Sequence, residues 1–209
     1  MLLLTTTSLR TLRIHWNRPD HGRLLTPRHY SRAWETARDG VPWAMDCDGF
    51  GGVDPVAFQR MVMTLAGLPG CLFLTVPDVY HGDGVEAHTD TLASWNEWMP
   101  FVGMSGFPLA FVAQIGSTVD NVPWHECDAV FIGGDTEWKL GPAARAIVAE
   151  AKRRGLHVHM GRVNSMKRIA YAKSIGVDSV DGSGWAKYRD AMMPLGFAAL
   201  DQQVMETGV

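Results

Sequence analysis

Cysteine is scarce in this 209-residue chain, and the three present, Cys47, Cys71 and Cys127, are widely spaced. No CxxC pair occurs, which argues against a disulfide framework and a cysteine-rich zinc site, and a reducing cytoplasm is the expected setting. Long apolar runs are missing too. Three leucines precede the threonine run at the N-terminus, too few for a signal-peptide core. The longest uncharged stretch, 98–119, is broken by Pro100, Gly103, Gly106, Pro108 and Gly116. It reads as loop and strand, and no membrane span is expected. The phosphate-loop patterns GxGxxG and GxxxxGK[ST] are absent. So are repeats of fixed period and low-complexity segments.

Positive charge is nearly absent from the middle of the chain. Residues 40–137 carry Arg60 alone against thirteen acids, whereas 1–39 carry seven arginines against three acids. Residues 138–209 carry eleven Lys and Arg against six acids. An acidic middle between basic ends suggests a carboxylate-rich site beside surfaces that could hold a polyanion; a patchwork of surface charge is the plainer alternative. With 46% hydrophobic and 20% charged residues, the composition is that of an ordinary folded domain. One domain over 1–209 is expected, with the basic segment 1–40 part of it.

Short apolar runs recur as candidate buried parallel strands: Val41–Asp46, Cys71–Val76, Leu109–Gln114, Ala129–Ile132, His157–Met160 and Asp178–Val180. Leu12–Trp16 is a weaker candidate. Helices fall between them. Asp54-Pro55 is an N-cap and N1 pair opening Val56–Ala66. Gly141-Pro142 opens a helix ending at Gly155, Asn164 is read as the cap of Ser165–Ile175, and a fourth helix covers Glu86–Trp98. Alternating strands and helices give a parallel α/β protein, either a barrel or an open sheet. Nearly every strand ends in a polar residue or a glycine pair: Asp46, Asp78, Gln114, Gly133-Gly134, Gly161-Arg162 and Asp181. A barrel gathers all its strand ends around one pocket, so a compact (β/α)8, TIM-like barrel is favoured over an open sheet.

Asp46 in MDCDGFGG and Asp181 in GVDSVDG each follow a strand. Two carboxylates at one barrel mouth suit a nucleophile and a general acid/base acting at a sugar C1′; each could instead simply cap a turn. The glycine pair in FIGGDTEWKLG lets a ligand approach backbone N–H groups, or serves a tight turn. His157 and His159 share one strand face, but no third metal ligand stands at a recognisable spacing, so no metal site is expected. Cys47 lies between two aspartates, which raise a thiol pKa and oppose a nucleophilic role. Arg162, Lys167, Arg168 and Lys173 could hold phosphates or form a solvated helix face.

Together these segments resemble the queuine/archaeosine tRNA-guanine transglycosylase superfamily, and more closely its phage and bacterial DNA branch, the deazapurine DNA-modification (DpdA-type) transglycosylases. MDCDGF is similar to the family's DSGGF/Y block and TVPD to the strand end that carries a base-reading aspartate. VAQIG is similar to its QG block and FIGG to its GG block. HMGRVNS followed by GVDSVDG is similar to its MGVG…GVDMFDC run. The blocks keep the family's order across roughly residues 41–183.

The resemblance implies base exchange at C1′ with no cofactor. It makes Asp181 the nucleophile and Asp46 the general acid/base. Asp78 and Gln114 would read the edge of a guanine-like base, with Gln114 donating to a carbonyl. Gly133 and Gly134 would donate backbone hydrogen bonds, and Phe50 and Met160 would sandwich the flat ring, next to Gly161. Arg162, Lys167 and Arg168 would contact nucleic acid. The implied partners are guanine-containing DNA, a 7-deazaguanine base (7-cyano-7-deazaguanine first) and accessory modification proteins, in the host cytoplasm if the gene is a phage's. The chain departs from the family at Cys47, Asp48 and Arg162, is much shorter than the tRNA enzymes, and has no cysteine after Cys127 for their zinc site. A non-catalytic nucleic-acid-binding subunit and a base-releasing glycosidase are the alternatives.

Overall fold

A computed structural model describes residues 1–5 and 18–202. Eight parallel strands, hydrogen-bonded in chain order, close into a barrel. They are β1 (Leu2–Thr5), β2 (His21–Leu25), β3 (Trp43–Met45), β4 (Cys71–Thr75), β5 (Leu109–Ala113), β6 (Ala129–Ile132), β7 (His157–Met160) and β8 (Ser179–Asp181). Closure is made by β1, whose Leu3 lies opposite His21 of β2 on one side and Val180 of β8 on the other. The helices that follow the strands are α1 (Ala33–Arg38), α2 (Pro55–Leu65), α3 (His88–Val102), α4 (Thr136–Leu140), α5 (Pro142–Arg153), α6 (Met166–Ser174), α7 (Ser183–Lys187) and α8 (Arg189–Asp201). This is the expected (β/α)8 barrel.

All six clear strand runs of the sequence are staves of the barrel. The other two staves lie in the N-terminal segment. Hydrophobic patterning hides β2, because His21 and Arg23 interrupt it. Both find partners nearby: His21 Nε2 lies 3.0 Å from Thr5 Oγ1, and the terminal nitrogens of Arg23 donate to Thr36 Oγ1 and the Ser31 carbonyl, while its buried Nε has no hydrogen-bond partner among the described residues. The weaker candidate Leu12–Trp16 falls outside the described residues. Two helix readings need correction. α6 is capped by Ser165, whose Oγ accepts from the Arg168 N–H, while Asn164 Oδ1 accepts from the Gly184 N–H at the start of α7. α3 begins two residues later than expected, because Glu86 caps it from outside by accepting from the His88 N–H at 2.9 Å. It also runs on past Trp98, with Pro100 in its last turn.

Strand alternation produces two apolar layers. Leu4, Leu24, Ala44, Phe73, Ala110, Val112, Ala129 and Phe131 fill the barrel interior. A larger layer that includes Met45, Leu74, Ile132, Val158 and Met160 packs outward against the helices. Among the described residues no helix is long and apolar enough to cross a membrane. Gly22 sits where staves and interior crowd: a Cβ there would lie 2.6 Å from Leu4 Cδ2 and 2.7 Å from the Pro42 carbonyl oxygen. Because one of these atoms is backbone, Gly22→Ala is expected to destabilise the barrel by about 1–3 kcal/mol, read as a lower urea midpoint at unchanged slope.

Candidate functional site

Parallel closure places the C-terminal ends of all eight strands at one mouth, and a pocket opens there. Asp46, Gly49, Phe50, Asp78, Tyr80, Gln114, Gly133, Gly134, Lys139, Gly161, Arg162 and Asp181 line it, over a floor of Val112 and Phe131. Its free space, counted with the solvent at its open mouth, is about 500 Å³. Nine of the twelve residues expected to form a site converge here.

The other three do not line it. Met160 is 2% exposed and points outward into the barrel–helix layer. Strand alternation explains this: His159 takes the inward position on β7, and its neighbour Met160 must face the helices. Lys167 is exposed on α6, and Arg168 borders a small adjoining cavity with Lys139 and Arg162.

The carboxylates occupy distinct environments. Asp46 follows β3; its Oδ1 accepts from the Asp48 N–H at 3.0 Å, with Thr75 Oγ1 at 3.5 Å. Burial, and then the charge of Asp181, push its pKa up to about 7. Asp181 ends β8. Its Oδ1 accepts from the Arg162 N–H at 3.2 Å and lies 3.0 Å from His159 Nε2. Asp78 follows β4. Cys47 Sγ donates to its Oδ1 at 3.2 Å, and Gln114 Nε2 lies 3.4 Å from its Oδ2. Burial raises its pKa as well. The Cys47 thiol is pushed far up by burial and by Asp78 and Asp46, so it is a hydrogen-bond donor here and no nucleophile.

Gln114 plays a different part from the one expected. Its amide nitrogen donates to the Val79 carbonyl and to Thr91 Oγ1, each at 2.7 Å. Those bonds use both amide protons to fix the chain after β4 and leave none for a ligand carbonyl. Gly133 and Gly134 both line the wall, but the Gly133 N–H already donates to the Ala113 carbonyl at 2.8 Å and is not the free backbone donor expected. A Cβ on Gly133 would meet Val112 Cγ1 at 2.9 Å, and Gly134 has φ +69°.

Three lining residues escape a reading of strand ends. Lys139 lies on the one-turn helix α4, which Asp135 caps by accepting from the Trp138 N–H. That turn buries Lys139, and its Nζ donates to the Gly161 carbonyl at 2.8 Å. Burial, then the Arg162 charge, lower its pKa to about 8. No spacing rule marks this lysine, since it is the capped turn that aims it inward. Tyr80 packs against Phe50 with ring centroids 4.8 Å apart. Phe131 was legible in principle, because alternation in AVFI puts it on the interior face with Ala129.

Arg162 bridges the pocket. Its guanidinium lies 4.4 Å from the Phe50 ring centroid and 5.4 Å from that of Tyr80, and it donates to the Gly134 carbonyl. The guanidinium thus lies over both rings in a cation–π arrangement. Among the described residues no three His, Cys, Asp or Glu side chains are placed to hold a metal ion.

Comparison with models of known protein families and with curated proteins finds no match. The closed parallel barrel is the architecture implied by the transglycosylase resemblance, but no sequence comparison ties the chain to that family.

Gly49 presses against Asp78: a Cβ would lie 2.0 Å from its Oδ1. Gly49→Ala is expected to displace the Asp78 carboxyl and abolish binding of a small planar ligand, with the circular dichroism melt little changed; calorimetry with free guanine checks it. Asp46 makes a second prediction. An unfolded Asp ionises near 3.9, whereas folded Asp46 holds its proton to about 7. Stability therefore falls as pH rises from about 4 to 7, and the cost is complete above that. Asp46→Asn should be more stable than the parent at pH 8 by up to a few kcal/mol, with the gain vanishing near pH 4.

Proposed function

We propose that the chain exchanges guanine in DNA for a 7-deazaguanine base, 7-cyano-7-deazaguanine first, through a covalent aspartyl-deoxyribosyl intermediate. One observation carries this reading: two aspartates line the same pocket, and one of them, Asp46, holds its proton toward neutrality. Asp46 is pushed up to about 7, where a carboxyl can give and take a proton near neutrality. Asp181 accepts the backbone N–H of Arg162 and lies beside His159 Nε2, two contacts that fix its carboxyl in the pocket wall.

In this scheme the Asp181 carboxylate attacks C1′ as the C1′–N9 bond breaks, and Asp46 delivers its proton to the departing guanine. Asp46, now ionised, takes the N9 proton of the incoming base. That nitrogen then attacks C1′ and the ester to Asp181 breaks. The two displacements conserve the configuration at C1′ and need no redox partner.

Other features support a flat heterocycle as ligand. Phe50, Tyr80 and the Arg162 guanidinium offer stacking surfaces, and Asp78 offers a carboxyl to adjacent N–H donors. A base within a duplex would have to leave the stack to reach a barrel mouth. Arg168 and Lys167 lie beside that mouth, where backbone phosphates would run, and accessory modification proteins would act on the same DNA.

The test is mass spectrometry of nucleosides digested from guanine-containing DNA after incubation with the protein and 7-cyano-7-deazaguanine. A new deazaguanine deoxynucleoside is expected with the parent chain. Asp181→Ala should form none, and Asp46→Asn should be slower by about 10²–10⁴-fold. Exchange retained in Asp181→Ala would overturn the scheme. Free guanine without incorporation would point to the glycosidase, and DNA binding without either product to a non-catalytic subunit.

A further inference from the structure

The barrel interior beneath the pocket is not wholly apolar. His159 is fully buried there, its ring 4.6 Å from that of Phe131 and 5.0 Å from that of Phe73. Ser179, also fully buried, stands on the neighbouring strand β8. Ser179 Oγ lies 2.8 Å from His157 Nε2 and 2.8 Å from His159 Nδ1. The other nitrogen of His159, Nε2, lies 3.0 Å from Asp181 Oδ1. Four polar side chains thus form one line from the barrel interior to the carboxyl group at the mouth. Apolar side chains would fill this volume at lower cost, so the polar line calls for a reason.

The hydrogen-bond inventory fixes its direction. An ionised Asp181 only accepts, so His159 must carry its hydrogen on Nε2. Its Nδ1 in the neutral ring is then an acceptor, and only the Ser179 hydroxyl is there to donate to it. The Ser179 oxygen in turn accepts from His157 Nε2–H. We propose that His157, Ser179 and His159 form a one-way chain of donors ending on Asp181, with His159 the positioning residue that aims this carboxylate into the pocket. Linked donors polarise one another, so the terminal bond is stronger than a lone imidazole would make. Burial, then His159, lower the pKa of His157 to about 4, which keeps the head of the chain uncharged near neutral pH.

The assignment of Asp181 as nucleophile belongs to the proposed exchange, and the inference rests on that reading for its consequence. The chain itself can be tested apart from exchange. Asp46, Lys139 and the Arg162 backbone face Asp181 from other elements, and Phe73, Phe131 and His157 surround His159.

The first measurement is ¹⁵N NMR of the histidine rings in the full-length protein. His159 should be the Nε2–H tautomer, and Asp181→Asn should move its Nε2 proton resonance upfield as the charged acceptor is lost. An Nδ1–H tautomer, or a resonance indifferent to Asp181→Asn, overturns the chain whether or not the protein exchanges bases. The second is the pH profile of exchange. His159→Phe keeps a ring in the Phe73–Phe131 cluster but removes the donor, and should shift the acid limb to higher pH and lower kcat with KM little changed. His159→Gln, which can return an N–H near the Nε2 position, should recover part of both. A parent-like profile in His159→Phe, or a KM effect alone, overturns the positioning role. If His159→Phe fails to fold, Ser179→Ala supplies the test. It should leave the Nε2–H tautomer, which Asp181 fixes, but weaken the terminal bond, moving the His159 Nε2 proton resonance upfield and the limb in the same direction, and an unmoved resonance with an unmoved limb would overturn the chain. No exchange by the parent chain with the expected tautomer and Asp181 response would count against the proposed reaction and leave the chain standing.

Discussion

Parallel closure is the constraint on which everything else here depends. Every neighbouring pair is parallel and β1 is held between β2 and β8, so all eight strands run in the same direction and every strand's C-terminal end arrives at the same rim. Residues as distant in sequence as Asp46 and Asp181 are thereby brought to one pocket without any loop having to reach. The pairing also divides labour along each strand. Inward positions build a floor, outward positions hold the helices, and the residue just past the strand faces a ligand. Met160 shows how strict this is: one place along β7 decides that His159 and not the methionine adjoins the chemistry.

Charge is the second constraint, and it follows from the first. Asp46, Asp78 and Asp181 meet in a space with little water, where each ionised carboxylate raises the cost of the next. The structure answers in three ways. Asp46 retains its proton to about 7, Asp78 accepts from the Cys47 thiol, and Asp181 receives the Arg162 N–H. Lys139 and Arg162 bring positive charge to the opposite wall. The aspartates share one intrinsic chemistry and differ in environment, which is the condition the proposed division into acid and nucleophile relies on.

What could be read from the sequence is what depends on local order. The strand-ending aspartates and glycine pairs were legible because a parallel barrel turns chain order directly into position. β2 was not, because His21 and Arg23 break its apolar pattern and their partners come from β1 and α1. Lys139 was not, because burial of a lysine depends on a single capped turn. The role of Gln114 was misread because its amide protons go to Val79 and Thr91, contacts that belong to the loop and helix beyond β4. Side-chain commitments across elements carry no signature in spacing.

The glycines of the mouth give the reason the pocket exists at all. Gly49, Gly161 and Gly182 lie where a methyl group would strike another group: Asp78 Oδ1 at 2.0 Å, the Phe131 ring at 2.6 Å and Asn164 Oδ1 at 2.5 Å. None of the three has a positive φ, so their requirement is for space and not for backbone freedom. Each lies on a loop after a different strand, and each stands beside a group that shapes the site or its rim. Backbone that passes this close to neighbouring side chains can be drawn inward only if its own side chain is absent. The rim is therefore narrow enough for Arg162 to span from Gly134 to Phe50. Arg162 thereby closes one side of a pocket whose wall also carries Asp46 and Asp181.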